Sequence, residues 1–282
     1  MPTSDTSEKG LEKLICVALT GLPCEPKKSG GGVAEPLAPY GGEGYAPGFP
    51  EDYDRDHAVD LTKLTFFIKA TQPKLIETLG LDSDSPKRQQ FLARIQGEIA
   101  KRGVIDVLRR GVKHGPHSLD LFYGTPTPGN KEAVKKFEQN IFSVTRQLRY
   151  SKDETQLSLD LCLFINGLPI ATFELKNSLT KQTVEDAVQQ YKRDRDPREF
   201  LFQFGRCMVH FAVDDHEVRM CTDLKGKGSW FLPFNKGWND GAGNPPNPKG
   251  LKTDYLWKEK ILRKFIIQPD QLDLAQNQNA EL

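Results

Sequence analysis

Leu157-Ser158-Leu159-Asp160-Leu161-Cys162-Leu163-Phe164-Ile165, then Asn166-Gly167, then Leu168-Pro169-Ile170-Ala171-Thr172-Phe173-Glu174-Leu175-Lys176 reads as two strands joined by a turn. Side chains on a strand alternate between faces. On the first strand Leu157, Leu159, Leu161 and Leu163 form one face, with Ser158, Asp160 and Cys162 on the other. On the second, Ala171, Phe173 and Leu175 form the matching apolar face. A slip of one residue turns every side chain over, so the two apolar faces must lie together. Asp160, Glu174 and Lys176 then share the opposite face. A two-residue turn pairing Ile165 with Leu168 has the wrong parity for this. The pattern therefore predicts a three-residue loop with Gly167 as its left-handed residue, or an equivalent bulge.

Two carboxylates and a lysine at the apolar heart of a sheet are expensive to desolvate unless they bind something. A divalent metal and a phosphate would satisfy all three charges. Asp160 and Glu174 are hard oxygen ligands suited to Mg²⁺, with Mn²⁺ as a substitute, and the carbonyl of Leu175 is a further candidate ligand. Such a metal polarises a scissile phosphate and lowers the pKa of a bound water. Lys176 would orient that water or offset charge growing in the transition state. The alternative is a solvated, half-polar sheet face, and these residues alone leave both readings open. Glu25-Pro26-Lys27 and Asp223-Leu224-Lys225 repeat the short acid-x-Lys pattern without an apolar hairpin to hold it.

With 282 residues the chain can bury a large core, as one large or two small domains. Its 39 basic and 38 acidic residues nearly cancel, so any nucleic-acid surface must be a local patch. Five cysteines (Cys16, Cys24, Cys162, Cys207 and Cys221) lack metal-type spacing and suit reduced thiols in a cytoplasm. The start, Met1-Pro2-Thr3-Ser4-Asp5, has no signal-peptide pattern, and no apolar run reaches membrane-spanning length. His114-Gly115-Pro116-His117 reads as a loop rather than a zinc site. There is no phosphate-binding Gly-rich run ending in Gly-Lys-Ser/Thr, which excludes ATP hydrolysis by this segment alone.

Asp5-Thr6-Ser7-Glu8 predicts a capped helix start, with Leu11, Leu14, Ile15, Ala18 and Leu19 as its apolar stripe. Glu8 and Glu12 lie one turn apart on it, and one of them is a candidate to reach the metal site. Residues 21–52 read as a long Gly/Pro loop. Helices are expected over 61–79, over 86–113 with a weak point at Gly103, and over 131–140. The second carries Lys101, Arg102, Arg109, Arg110 and Lys113, either a phosphate-contacting stripe or a solvated basic face. A strand over 141–150, a helix over 183–193, strands over 208–213 and 217–222, and a final helix over 255–267 complete the reading. Strand, hairpin, helix, strand, strand is the order of an α/β sheet flanked by helices.

The chain resembles the N-terminal nuclease region of the restriction (R) subunit of type I restriction-modification enzymes. Asp160 with Glu174-Leu175-Lys176 is similar to the PD-(D/E)xK nuclease core of that region. Further family-like stretches are Thr6-Ser7-Glu8-Lys9 with Leu11-Glu12, Lys101 to Arg109, Asn166-Gly167-Leu168-Pro169, and Gln190 to Pro197. Phe231 to Asn235, Gly241 to Pro245 and Tyr255-Leu256-Trp257 extend the likeness almost to the end. The resemblance implies a restriction-endonuclease-like mixed central sheet flanked by helices, and Mg²⁺-dependent cutting of double-stranded DNA. It implies a nuclease domain over residues 1–257, and over 258–282 a helix and linker toward an ATPase motor absent here. ATP then serves only that motor, and methyltransferase and specificity subunits are the expected partners.

In the family a Gln-x-x-x-Tyr pattern often follows the lysine. Here Tyr191 is preceded four residues back by Ala187, with Gln189 and Gln190 on other helix faces. Tyr191, Gln190 and Glu12 are therefore the supporting candidates, and Lys192, Arg193 and Arg195 the candidate backbone-phosphate contacts. Two rival readings are a nuclease-fold DNA-binding or docking module inactive in isolation, and a stand-alone nuclease of repair type.

Overall fold

The computed structural model describes residues 8–22, 24, 44–153, 156–177, 180–235 and 253. The Asp5 to Ser7 part of the expected cap, most of the Gly/Pro loop, the expected final helix and the 258–282 segment lie outside these residues.

The two strands that decide the fold form as β7 (Ser158–Ile165) and β8 (Leu168–Leu175), and β8 is buried along its whole length. They are joined by a two-residue turn in which Asn166 takes φ 50° and Gly167 φ 84°, so Ile165 does pair with Leu168. Parity is restored three residues later. Phe164 faces Pro169, but Leu163 faces Ala171 and Leu161 faces Phe173, which leaves Ile170 as the extra residue of a bulge. The apolar faces meet through the bulge rather than through a longer loop.

Gly167 serves a second purpose. The amide of Asp60 donates to its carbonyl at 2.8 Å, and a Cβ at this position would collide with the Asp60 carbonyl oxygen and lie 2.7 Å from Leu64 N. Asn166 pins the same turn. Its Oδ1 accepts from Ile141 N at 2.6 Å, and its Nδ2 donates to Leu121 O at 2.9 Å.

Around the hairpin runs a seven-stranded mixed sheet, in the order β1-β6-β7-β8-β9-β10-β11. Its other strands are β1 (Ala46–Pro47), β6 (Phe142–Arg149), β9 (Val209–Val213), β10 (Val218–Cys221) and β11 (Leu232–Pro233). β8 and β9 are parallel, joined across one face by α6 (Val184–Asp194), whereas β6, β7 and β8 form an antiparallel meander. Two small hairpins lie outside the sheet: β2 (Tyr53–Asp54) with β3 (Val59–Asp60), and β4 (Val112–His114) with β5 (His117–Leu119). His114 and His117 thus face each other across a turn.

Helices cover both faces. α1 (Glu8–Thr20), α2 (Leu61–Thr71), α3 (Ile76–Leu79) and α4 (Pro86–Arg110) pack with Leu161, Leu163, Ile165 and Phe173 in the larger core. α6 and the Phe200–Phe202 turn cover the other face, over Cys162, Phe164 and Ala212. α5 (Lys131–Glu138) precedes β6 and buries none of its residues.

Three expectations are corrected in detail. The helix predicted over 61–79 is broken at Pro73, which lacks an N–H and holds Gln72 out of helical geometry (φ −141°, ψ 54°). On α1, Leu14 is 66 % exposed, whereas Ile15 and Leu19 are buried and Leu11 and Ala18 pack against the core as expected, with Glu12 and Cys16 joining the inward face. Leu159 packs on the α6 face with its partner Leu148, not with Leu161. The switch follows Gln147, whose left-handed backbone (φ 48°) reorients the strand there. At Gly103 the expected weak point is real: its φ of 77° interrupts α4, and Val104 N donates to Gly205 O at 2.8 Å.

Gly167→Ala should destabilise the protein by more than the ~1–2 kcal/mol of a left-handed alanine alone, because the methyl group also strikes the β3–α2 joint. Chemical denaturation checks this; a loss below ~1 kcal/mol would mean the turn is less crowded than described.

Candidate active site

The ladder between β7 and β8 stops at Leu161–Phe173. Beyond it Leu159 and Ser158 stay paired to β6, while Glu174 and Leu175 stay paired to Ala212 and Val213 of β9. The two central strands therefore part within the sheet. In the opening the Asp160 carboxylate takes the place of a ladder carbonyl, accepting from Leu175 N at 2.7 Å. A charged acceptor makes this a strong bond and fixes the carboxylate between the strands.

Glu174 is fully buried. Its Oε1 accepts from Arg195 Nε at 2.7 Å and lies 2.7 Å from Nη2 of the same guanidinium. Its Oε2 is buried with no hydrogen-bond partner. Burial, and then the charge of Asp160, push the Glu174 carboxyl up to about 8, with Arg195 and Lys176 pulling the other way. Lys176 is 8 % exposed, and its amide donates to Val213 O at 2.8 Å, extending the β8–β9 ladder by one residue.

Glu12 reaches the same region from α1, with its side chain 1 % exposed. Oε2 accepts from Arg146 Nε at 3.2 Å and Oε1 from Gln147 Nε2 at 2.8 Å. Gln147 Nε2 also lies 3.5 Å from Asp160 Oδ1, which joins Glu12 to the opening between the strands. Burial, followed by Asp160, raises the Glu12 carboxyl to about 7.

Among the described residues no group of three or more His, Cys, Asp or Glu side chains is placed to cage a metal. A two-carboxylate donor set instead suits Mg²⁺, which keeps several waters and takes few protein ligands. The unpartnered Glu174 Oε2 beside the Asp160 charge fits such a cation.

The remaining sequence candidates separate. Tyr191 is buried, its hydroxyl 2.8 Å from Thr172 Oγ1, which lies 2.7 Å from His210 Nδ1; burial, and then the nearby Glu174 charge, raise its pKa well above the usual tyrosine value. Burial lowers the His210 pKa to about 3, so this buried network is neutral. Gln190 is half-buried on α6. Lys192 is half-buried and Arg193 exposed, and both line a groove of about 680 Å³ of mixed charge, in which Arg195 and Arg198 stand among Asp153, Asp194, Asp196 and Glu199. Arg195 differs from its expected role at the surface: at 4 % exposure it is held by Glu174 inside the protein. On α4, Arg102 is tied to Glu98, Asp106 and the Gly111 carbonyl, and Lys101 and Arg110 pair with the same acids, so that stripe is an ion-pair network.

Sequence reasoning passed over Arg146, Gln147, Thr172 and His210. The first two share the β6 strand directly beside Asp160, and Thr172 precedes Glu174 by one full strand repeat, which was the available signal.

Residues 98–229 match the family model described as the type I restriction enzyme R protein N terminus. That span contains Asp160, Glu174, Lys176, Tyr191 and Arg195, and leaves out Glu12. The chain is also 35 % identical, over 80 residues, to a Methanocaldococcus jannaschii protein named as the MjaVIIIP type I restriction enzyme endonuclease subunit. The match covers 28 % of this chain and 7 % of that protein, so the chain spans a small part of its relative. No solved structure matches.

Raised carboxyl pKa values bind protons more tightly in the folded state, so each takes stability away as pH climbs from the ordinary value toward the raised one. Metal-free protein should therefore melt at progressively lower temperature as pH rises from 4.5 to about 8. Glu174→Gln should flatten the upper part of that decline. A melting temperature that rises across this window would contradict the burial described for Glu174 and Glu12.

Proposed function

We propose that this chain, whose residues 98–229 match the type I restriction enzyme R protein N-terminal family, is the DNA-cleaving module of such an enzyme. The reaction is metal-dependent hydrolysis of phosphodiesters in double-stranded DNA. The observation that carries the reading is the buried Glu174, with its unpartnered Oε2 and raised pKa, beside Asp160 where β7 and β8 part.

In this proposal Asp160 and Glu174 would hold Mg²⁺ or Mn²⁺, together with the Leu175 carbonyl. Bound there, the cation supplies Lewis acidity toward a phosphate and lowers the pKa of a water. Lys176, near enough to pull down the Glu174 pKa, presents its ammonium to the negative charge that grows on the phosphate. Glu12 closes the site from α1 through Gln147. Lys192 and Arg193 contact the DNA backbone along the groove, giving affinity without sequence preference.

Translocation, ATP use and target recognition belong to motor domains and to methyltransferase and specificity subunits beyond this segment. The five free, buried cysteines suit a reducing cytoplasm, and no helix among the described residues is long and apolar enough to cross a membrane.

The test is nicking of supercoiled plasmid with Mg²⁺ or Mn²⁺ by the chain assembled with its partner subunits. Asp160→Ala and Lys176→Ala should each lower cleavage by on the order of 10²-fold or more while leaving the fold intact. Lys192→Ala with Arg193→Ala should instead weaken DNA binding and reduce its salt dependence by about one unit of slope for each phosphate left unpaired. Cleavage at full rate in either catalytic variant would overturn the assignment, and an unchanged salt slope would remove the groove from it.

A further inference from the structure

Arg195 sits at the C-terminal end of α6, and its three guanidinium nitrogens between them meet three parts of the opening between the strands. Nε and Nη2 both reach Glu174 Oε1 on β8. Nη2 also donates to Ser158 O on β7 at 2.9 Å, and Nη1 to the hydroxyl of Tyr150, just past β6, at 3.3 Å. The guanidinium carbon stands 5.5 Å from the centre of the Tyr150 ring. One side chain thus ties the end of α6 to β7, to β8 and to the residue just past β6, at the point where β7 and β8 separate.

The direction of the Glu174 contact matters. A guanidinium commonly grips both oxygens of a carboxylate. Here two of its donors converge on Oε1 alone, which sets the rotation of the carboxylate and leaves Oε2 buried without a partner. α6 supplies no glutamine one turn before Tyr191, since Ala187 is buried there against Val184 and Val188. The polar group that this helix directs at the site is the arginine at its end.

We propose that Arg195 is a positioning residue for the metal-binding carboxylate, holding Glu174 by Oε1 so that Oε2 faces the cation. The assignment rests on the metal-dependent reading above. It is distinguishable from the two simpler roles open to a buried arginine. A pure counter-charge repels the cation, so its removal would raise metal affinity. A pure packing element would change stability without changing affinity. A positioning partner gives the opposite of the first and more than the second, with affinity falling by about 10-fold to 100-fold when the group that orients a ligand is removed.

Titration calorimetry with Mn²⁺ alone, on the wild-type chain and on Arg195→Met, Arg195→Lys and Glu174→Gln, decides between these roles. Thermal melts confirm that each variant is folded at the temperature used. The expected result is binding abolished in Glu174→Gln, weakened about 10-fold to 100-fold in Arg195→Met, and only partly restored in Arg195→Lys. Lysine returns the charge but not the planar fork that fixes the carboxylate. Equal or tighter binding by Arg195→Met overturns the positioning role and leaves the metal reading standing. If the methionine variant fails to fold, wild-type affinity in Arg195→Lys overturns it equally. Mn²⁺ binding that survives Glu174→Gln overturns the metal reading and this assignment with it.

Discussion

Everything at the site depends on the place where two central strands stop pairing. A ladder running on past Leu161–Phe173 would satisfy Leu175 N with a carbonyl and leave no room for Asp160 between the strands. Because β7 stays with β6 and β8 stays with β9, the gap is filled by the Asp160 carboxylate at 2.7 Å from that amide. Burial, and then the Asp160 charge held beside them, push the neighbouring carboxyls up, to about 8 for Glu174 and about 7 for Glu12. Buried like charges persist only where something offsets them, and here Arg195, Arg146 and Lys176 do so in part.

The same opening explains why secondary elements from distant parts of the sequence converge on it. α1 brings Glu12 to the β6 side, through Arg146 and Gln147. α6 brings Arg195 to the opposite side, and Tyr191 bonds the helix to the sheet through Thr172. The groove bearing Lys192 and Arg193 begins where α6 ends, so the surface proposed for DNA and the contact that orients Glu174 lie on one turn of chain.

Much of this was legible in the sequence, and the failures have physical causes. Strand alternation placed Glu174 on the face away from the larger core, where Arg195 at the end of α6 meets it, because the period of two leaves little freedom once one face is apolar; Asp160 instead turns between the strands to Leu175 N, since the alternation of β7 breaks at Leu159. The same parity demanded an irregularity, and the bulge at Ile170 supplies it. Arg195 was misread because an arginine in a charged helix terminus is normally solvated, and nothing local in the sequence reveals a partner 21 residues back. Leu14 was misplaced for the converse reason: the rest of the apolar stripe does face inward, but Glu12 and Cys16 share that face and leave Leu14 outside it. The β6 residues beside Asp160 were hidden because their role appears only when the strand register is known.

The central proposal is that Glu174, partly protonated in the metal-free protein, would give up its proton to bind a cation. Mg²⁺ binding measured by calorimetry at neutral pH, in two buffers of different ionisation enthalpy, tests it most directly. Binding should release protons on balance, and Glu174→Gln should abolish that release. Binding without proton release would contradict it, because Glu174 would then already be ionised in the empty site.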